Sequence, residues 1–366
     1  MTEVERLAVD GAMVEINPIG GILERLVVTW AGRRLEPLHR APWIGVPSDI
    51  PEGTPPHLAH LAGDFFCAPF GNSDIELAPA HGWAANGLWS VEARHQDAMS
   101  TTATFRLDHT ILGASLRKHV TLRPGQPVVY QRHVFRGGSG ALPIAHHAMI
   151  HAPGGVRLSF SSKDFGATPA TPQESDPARG RSILANAQRF ADLSAVSLAD
   201  GGVADLRSYP FAERHEDFLS LFDPPNARIG WSAALASREG FLFFAVKDAR
   251  RLNQTSLWMS NGGRFYAPWL SRHVAVLGIE ESCAYFASGH RASTQPSDLS
   301  AAGYATALQL DPDAEVAVRY ALGAIPANPV WSEVSDIVLG DGGLIITDKG
   351  GNQAHVPFDT DFFGEE

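Results

Sequence analysis

Cysteine is scarce in this chain, because Cys67 and Cys283 are the two thiols among 366 residues. They could form one disulfide, but so few cysteines are more typical of a protein from a reducing compartment. The opening residues, MTEVERLAVDG, contain neither the basic stretch nor the apolar run of a signal peptide. We therefore expect a cytoplasmic protein.

Positive charge is in short supply as well. The chain has 29 lysines and arginines against 40 acidic residues, which gives a net charge of −11. Nucleic acids and anionic membranes are bound by positive surfaces, so we expect neither as a partner. No segment approaches the roughly 20 consecutive apolar residues needed to cross a bilayer. The composition leaves the oligomeric state open, with a homodimer as one alternative.

Long amphipathic helical patterns are missing too, and strands do not alternate with helices as in a doubly wound α/β fold. Instead, 35 glycines and 25 prolines separate short apolar or alternating segments. Many such segments at close spacing favour an all-β fold, a large antiparallel β-sandwich or barrel. The clearest predicted strands are Met13–Ile16, Leu26–Trp30, Ser115–Leu122, Val128–Phe135, Val156–Phe160, Gly240–Val246, Val274–Ile279 and Val316–Leu322.

The remaining segments predict the domain organisation. Residues 161–181 are polar and rich in Pro, Ser and Thr, which predicts a long surface loop, and residues 182–203 hold one short helix or none. A hairpin is predicted over 336–348, around a glycine-rich turn. We expect one β-sandwich domain over residues 1–325 and a tail over 326–366, whose hairpin packs on the main body or on a second subunit.

Common cofactor and hydrolase motifs are absent. The sequence contains no P-loop and no dinucleotide-binding fingerprint. The string GGSG at 137–140 is not a nucleophile elbow and is typical of a hairpin turn. We therefore expect no cofactor.

Histidine is frequent, with 15 residues, and two groups raise the question of a metal site. One group is His57 and His60, and the other is His146, His147 and His151. Along a strand, His147 and His151 could share one face while His146 points to the other. Zinc sites need three or four convergent ligands, so we expect no metal.

The segment from Gly63 to Trp89, GDFFCAPFGNSDIELAPAHGWAANGLW, carries the strongest local signal. His81 followed by glycine indicates a tight backbone that points the imidazole into a cleft. Asn86 and the tryptophans around it add an amide and flat apolar faces. Sugar hydroxyls need donors and acceptors, and sugar C–H faces need aromatic surfaces, so this combination suits a carbohydrate pocket.

Three positions remain as candidates for chemistry: His81, His147 and Glu280. Each has an alternative reading. His81 could cap or pack locally, and His147 could be a core histidine. Glu280, together with Glu281, could mark the solvated end of the strand that precedes it, although a buried carboxylate there would be costly unless it is hydrogen-bonded or used.

Aromatic and charged side chains elsewhere could support a site. The segment 258–269 contains Trp258 and Arg264, just before Glu280. A charged segment at 214–218 contains Asp217. Loops between strands are where binding residues commonly lie, so these segments are candidate contributors.

Several strings together resemble the galactose mutarotase-like superfamily, which includes the aldose 1-epimerases. APFGNSDIELAPAHGWAAN is similar to the family segment that carries its first histidine, LPIAHHAMI to the segment of the second, and VLGIEESCAYF to the strand of the catalytic glutamate. ALQLDPDAEVAVRYALGAI resembles the closing strands. The resemblance spans roughly residues 13–325 and implies a large antiparallel supersandwich.

Carried over, the resemblance implies that His81 and His147 are the two family histidines, with His146 as the off-by-one alternative to His147. Glu280 matches the catalytic glutamate, with Glu281 as its alternative. The remaining implied or candidate sugar contacts are Asn72, Trp83, Asn86, Asp217, Trp258 and Arg264.

Two departures from the family pattern concern the substrate. The arginine expected after Asn72 is Ser73 here, and Ala148 follows His147 in place of proline. Arg264 could supply a guanidinium from another loop. The expected function is an aldose 1-epimerase-like isomerase acting on a small sugar or sugar derivative. A non-catalytic sugar-binding or sensing protein is the alternative, and a lyase or hydrolase on a related sandwich is a third reading.

Mutarotation opens a hemiacetal ring and closes it on the other face, which needs a base on the C1 hydroxyl and an acid on the ring oxygen. Carboxylate and imidazole groups suit these roles near neutral pH. We expect Glu280 to act as base, His147 as acid, and His81 as a second donor to the ring oxygen. Asn72 and Trp258 would orient the ring.

Overall fold

The computed structural model describes residues 3–364, and over that range the chain is built mainly of strands. Ser115–Leu122 illustrates the reason, because its residues alternate strictly between partly exposed and buried. The strands are, in chain order, β1 (Glu5–Val9), β2 (Ala12–Asn17), β3 (Ile22–Trp30), β4 (Arg33–Leu35), β5 (Phe66–Cys67), β6 (Trp89–Gln96), β7 (Thr101–Leu107), β8 (Ser115–Leu122), β9 (Val128–Arg136), β10 (Gly140–Leu142), β11 (Ile144–His146), β12 (Ala148–His151), β13 (Val156–Phe160), β14 (Phe165–Ala167), β15 (Arg189–Phe190), β16 (Val196–Ser197), β17 (Val203–Ala204), β18 (Ser208–Tyr209), β19 (His215–Phe222), β20 (Ile229–Ala236), β21 (Phe241–Asp248), β22 (Gln254–Asn261), β23 (Val276–Cys283), β24 (Leu308–Leu310), β25 (Glu315–Pro326), β26 (Val334–Gly340), β27 (Gly343–Asp348) and β28 (Gln353–Pro357).

Helices are short and lie in the connections. They are α1 (Pro56–Ala59), α2 (Gly82–Asn86), α3 (His290–Thr294) and α4 (Asp298–Ala301), with 3₁₀ turns at Pro47–Asp49 and Thr360–Phe363. Within residues 3–364, none of these helices has the length and apolar character required to span a membrane.

Two large antiparallel sheets form the sandwich. One has nine strands in the order β18-β13-β20-β21-β25-β9-β8-β7-β6. The other has the order β15-β14-β19-β22-β23-β11-β5, with β12 also pairing with β23. The largest hydrophobic cluster combines buried residues from both sheets, such as Val120 and Tyr320 from the first and Leu257 and Ile279 from the second. The predicted all-β antiparallel sandwich is confirmed.

The predicted strands match observed ones, with differences at their ends. Ser115–Leu122 and Val156–Phe160 coincide with β8 and β13. The strand predicted over Val274–Ile279 instead begins at Val276 and continues through Glu280 and Glu281 to Cys283. The two acids are 1% and 0% exposed, so they do not mark a solvated strand end. Because acidic residues are uncommon inside buried strands, the sequence pattern predicted that the strand ends before Glu280.

Two regions without a strong pattern contain short strands that were not predicted. The predicted surface loop 161–181 includes the short strand β14, which pairs with β19 at the edge of its sheet. Residues 182–203 contain no helix, and β15 and β16 lie there instead. Cys67 and Cys283 are both buried free thiols, not a disulfide.

The C-terminal segment forms a separate three-stranded sheet, β26-β27-β28. The predicted hairpin is present as β26 and β27, joined at Gly340 and Gly343, and β28 adds a strand that was not predicted. This sheet packs on the outer face of the nine-stranded sheet, so its apolar side is covered by the main body of the same chain. The packed side chains include Tyr130, Trp231, Phe244, Trp331, Ile337, Leu344, Ile346, Val356, Phe358 and Phe363. The domain division at residue 325 stays a prediction.

We predict that Ile346→Ala lowers the free energy of unfolding by about 2–5 kcal/mol, because it leaves a cavity under the C-terminal sheet. Ile345→Ala is the matched control, since its side chain is on the other face of β27 and partly exposed. Chemical denaturation of both variants checks this. Equal losses would contradict the packing of the C-terminal sheet on the main body.

Candidate active site

Strand alternation divides the eight-stranded sheet into a core face and an outer face. On β19, β22 and β23, Leu219, Leu257 and Ile279 join the main core. Phe218 and Trp258 lie on the opposite face, in a second apolar cluster. Phe218 pairs with Trp258 across the sheet, and Trp258 pairs with Gly278. Loops cover this outer face and leave a concave site above it.

A cavity of 340 Å³ opens above this face. This volume is at the small end of the range for ligand sites and suits a small ligand. The lining combines aromatic side chains with a few polar groups. The lining residues are His57, Leu58, Leu61, Phe65, Phe70, Gly71, Asn72, Ala80, His81, His147, Gln173, Phe218, Trp258, Arg264, Tyr266, Trp269, Glu280 and Ala287.

Glu280 and His147 meet in the cavity wall. Glu280 Oε1 lies 3.0 Å from His147 Nε2, and both side chains are buried. The His147 ring stacks on Phe65 at a centroid distance of 4.5 Å. Gly278 makes room for the acid, because a Cβ at that position would lie 2.9 Å from Glu280 Oε1. The two groups predicted from distant segments are therefore in direct contact.

Burial shifts the pKa values of this pair in opposite directions. It raises the pKa of Glu280 well above its usual value and lowers the pKa of His147 to about 4. Both shifts favour the neutral forms at neutral pH. In these forms the Glu280 carboxyl keeps its proton and can donate a hydrogen bond to His147 Nε2, while the neutral imidazole keeps its own proton on Nδ1.

His81 lines the cavity and has a left-handed backbone conformation. Its φ of 66° is left-handed, and it immediately precedes α2. The next residue must be glycine, since a Cβ on Gly82 would lie 1.9 Å from the carbonyl oxygen of Ala68. His81 Nδ1 accepts a long hydrogen bond, 3.4 Å, from the Gly71 backbone N–H. The tight backbone expected from the His-Gly pair is present.

The His81 ring lies edge-on to His147, with centroids 5.8 Å apart. Burial and the neighbouring imidazoles lower the pKa of His81 well below its usual value, so its ring is neutral. Because Nδ1 accepts a hydrogen bond, the proton is on Nε2. His81 therefore offers a donor to the cavity.

Two of the other predicted sugar contacts, Trp258 and Arg264, line the cavity wall. The guanidinium of Arg264 lies over the Trp269 ring, 4.6 Å from its centroid. Asn72, a third, lies at the exposed mouth. Ser73, at the position where the resemblance implies an arginine, donates a hydrogen bond of 2.8 Å to the carbonyl oxygen of Pro79 within its own loop.

Trp83 and Asn86 lie outside the cavity lining. Trp83 stacks on His109 with ring centroids 4.1 Å apart. Asn86 is buried behind the wall, where its side-chain oxygen lies 2.9 Å from His57 Nδ1. These two predicted sugar contacts therefore do not line the cavity.

Asp217 also lies outside the lining, on the core side of β19. It accepts hydrogen bonds from the backbone N–H groups of Ile183 and Leu184, both at 3.0 Å, and lies 2.8 Å from His215 Nδ1. These contacts anchor the segment that follows the loop 161–181. Its neighbour on the cavity side is Glu216.

Glu216 lies at the site although it was not predicted from the sequence. It accepts hydrogen bonds from Trp258 Nε1 at 2.5 Å and Ser260 Oγ at 2.9 Å, and it lies 3.3 Å from Arg264 Nη1. It therefore holds two lining side chains in place. The period-two pattern of β19, in which Glu216 shares a face with Phe218, is the signal that identifies it.

The loop predicted over 161–181 also contributes. Gln173 lines the cavity, and Glu174 Oε1 accepts hydrogen bonds from Arg264 Nε at 2.6 Å and from the Tyr266 hydroxyl at 2.9 Å. Loop composition indicated surface position but gave no sign of this contact.

The two off-by-one alternatives point into the sandwich. His146 Nδ1 lies 3.0 Å from Asp64 Oδ2 in the core. Glu281 Oε2 lies 2.6 Å from Lys247 Nζ and accepts a hydrogen bond of 2.8 Å from Thr255 Oγ1. Both are structural in these positions, whereas His147 and Glu280 face the cavity.

Metal ligands do not cluster in the part of the chain from residue 3 to residue 364: no group of three or more His, Cys, Asp or Glu side chains there is arranged to hold an ion. His57, considered in the sequence as a metal ligand, lines the cavity instead. His60, its neighbour in that motif, is not among the lining residues.

The protein has the galactose mutarotase-like fold, as comparison with solved structures shows. A candidate aldose 1-epimerase from Escherichia coli superposes with a TM-score of 0.57 at 12% identity, covering 88% of this chain and 99% of the other. A galactose mutarotase-like protein from Clostridium acetobutylicum gives 0.55 at 14% identity, covering 88% and 98%. A galactose mutarotase related enzyme from Lactobacillus acidophilus gives 0.50 at 12%, covering 89% and 98%. No family model and no curated protein sequence matches the chain.

We predict that Glu280→Gln becomes increasingly more stable than the wild type as pH rises from 5 to 8. The folded carboxyl keeps its proton because its pKa is raised, while the unfolded carboxyl ionises near 4.5. Wild-type stability therefore falls with pH through this group, and glutamine removes that dependence. Melting temperatures across the pH range measure the difference.

Glu281→Gln is the control for that comparison. It removes a carboxylate that compensates the buried ammonium of Lys247, so we expect a loss of about 3–5 kcal/mol at pH 7. A pH-independent difference between Glu280→Gln and the wild type would show that Glu280 is ionised in the folded protein.

Proposed function

We propose that this protein is an aldose 1-epimerase-like isomerase that interconverts the anomers of a small sugar. The observation that carries the proposal is the convergence of His81, His147 and Glu280 on one cavity wall, with His147 Nε2 3.0 Å from Glu280 Oε1. The fold shared with mutarotase-like proteins supports it. A cytoplasmic location and a homodimer stay predictions.

The proposed reaction uses the carboxyl proton of Glu280. When it lies on His147, Glu280 is a carboxylate base for the C1 hydroxyl and His147 is an imidazolium acid for the ring oxygen. Proton transfer to the ring oxygen and from the hydroxyl opens the ring, and rotation about C1–C2 followed by the reverse transfers closes it. His81 Nε2–H holds the ring oxygen as its charge changes. Each transfer contributes roughly 10²–10⁴-fold.

The charge of the cavity favours a neutral sugar over a sugar phosphate. Of the described lining residues, Arg264 carries the full positive charge, while burial lowers the pKa values of the lining histidines. Glu174 and Glu216 lie 2.6 and 3.3 Å from its guanidinium. The positive charge of Arg264 is therefore already balanced by two acidic side chains, and little of it remains to attract a phosphate group.

Sugar binding without catalysis is the second candidate. It is favoured by Ser73, which replaces the arginine of the family pattern and binds its own loop. In that case the protein would bind a sugar saturably and leave the rate of anomer exchange unchanged.

We predict that Glu280→Gln and His147→Gln each reduce catalysed anomer exchange roughly 10²–10⁴-fold, because each removes one partner of the proton transfer. NMR exchange spectroscopy over a panel of aldoses measures the rates. His109→Gln, an exposed histidine outside the cavity, is the control and keeps the wild-type rate. Wild-type rates in both site variants would refute the catalytic assignment. Saturable wild-type binding without acceleration would instead establish the second candidate.

We also predict that neutral aldohexoses exchange at least tenfold faster, per unit of enzyme concentration, than their 6-phosphates. The reason is the compensated charge of Arg264. Measuring kcat/KM for each matched pair tests it. A preference for the phosphates would overturn the assignment of a neutral substrate while leaving the isomerase proposal intact.

A further inference from the structure

His57 is a lining residue for which neither the motifs nor the proposed reaction gives a role. It lies in α1, which packs close to α2, and its side chain is buried at the cavity wall. Its ring is edge-on to that of His81, with centroids 5.0 Å apart. A polar ring in this position must be hydrogen-bonded or used by a ligand.

Asn86 determines the orientation of the hydrogen bonds behind this ring. Its Nδ2 group lies 2.8 Å from the carbonyl oxygen of Ala80 and 2.7 Å from that of Gly82. Carbonyl oxygens only accept, so the amide NH₂ must face them. The amide oxygen of Asn86 therefore faces His57, where it accepts from the backbone N–H at 3.2 Å and lies 2.9 Å from Nδ1.

This arrangement assigns the tautomer of His57. Because the Asn86 oxygen can only accept, His57 Nδ1 must carry a proton and donate it. Burial lowers the pKa of His57, so the ring is neutral and holds a single proton. Nε2 is left with a lone pair. It is the ring nitrogen that remains for a ligand in the cavity.

His81 has the opposite tautomer. Its Nδ1 accepts from the Gly71 N–H, so its Nε2 is a donor. The two adjacent imidazoles thus present one acceptor and one donor. A sugar can satisfy both at once, because a hydroxyl donates to the first while an ether or hydroxyl oxygen accepts from the second.

We infer that His57 Nε2 is a specificity-determining acceptor for one substrate hydroxyl, held in that role by Asn86. The inference rests on the proposed sugar substrate, and His57 takes no part in the proton transfer. A substrate that lacks this hydroxyl, or carries it as a methyl ether, leaves a buried acceptor unpaired. Such an analogue binds more weakly.

The first test needs no substrate. Long-range ¹H–¹⁵N spectra of the wild-type protein distinguish protonated from unprotonated ring nitrogens. We expect His57 to show a protonated Nδ1 and an unprotonated Nε2 at pH 7, with signals assigned by comparison with His57→Gln. A protonated Nε2 in the free protein would overturn the inference whether or not the protein is a mutarotase.

The second test compares variants against a set of monodeoxy aldoses. His57→Phe keeps a flat ring without an acceptor, and His57→Gln restores an acceptor oxygen near the position of Nε2. We expect the wild type to bind one monodeoxy sugar about tenfold more weakly than the parent sugar. That difference in affinity disappears in His57→Phe and returns in His57→Gln. In both variants we expect kcat for the parent sugar to change less than KM, relative to the wild type.

The design separates this role from a structural one. If His57 has only a structural role, losing its contact with Asn86 in His57→Phe weakens the binding of all sugars by the same factor. If His57 is a hydrogen-bond acceptor, the substitution removes the difference in affinity between the parent sugar and one monodeoxy sugar. Equal discrimination in the wild type and His57→Phe would refute the inference. If the wild type bound no sugar, the proposed function would fail, and the tautomer measurement would still decide the assignment of His57.

Discussion

Successive side chains of a strand point to opposite faces of its sheet, and this alternation decides which buried acids of the protein meet the cavity. Glu280 and Glu281 are neighbours in β23, yet one faces the cavity and the other faces the sandwich core. Glu216 and Asp217 on β19 divide in the same way. A shift of one residue in register would exchange the site for the core.

The two faces stabilise their buried acids by different means. In the core, Glu281 lies between hydrogen-bond donors and the ammonium of Lys247, so its charge is compensated. At the cavity, burial raises the pKa of Glu280 and so favours its protonated form, with His147 Nε2 3.0 Å from its Oε1. Removing a compensated charge costs stability, whereas a protonated acid stays available for proton transfer. The site therefore depends on a carboxyl whose pKa is raised by burial, with no opposing charge within residues 3–364 to lower it.

Much of the architecture could be predicted from local patterns. Alternation over Ser115–Leu122 and the glycine-bounded hairpin after residue 326 predicted strands that the structure contains. The end of β23 was not predicted because Glu280 and Glu281 interrupt its apolar run. A local sequence pattern cannot show that Lys247, distant in the chain, neutralises the charge of Glu281. The resemblance in the segments around His81, His147 and Glu280 identified three side chains that share one cavity.

Residue patterns and the resemblance were enough to predict the strand-rich class, the tight His81-Gly82 backbone and the candidate histidines and acid. The hydrogen bond between Asn86 and His57 and the ion pairs of Arg264 with Glu174 and Glu216 became visible only in the folded chain. Strand formation depends on neighbours in the chain, so it is visible in short segments. Protonation, tautomer and charge compensation depend on groups brought together from distant segments, so they exist only once the sheets and loops have packed.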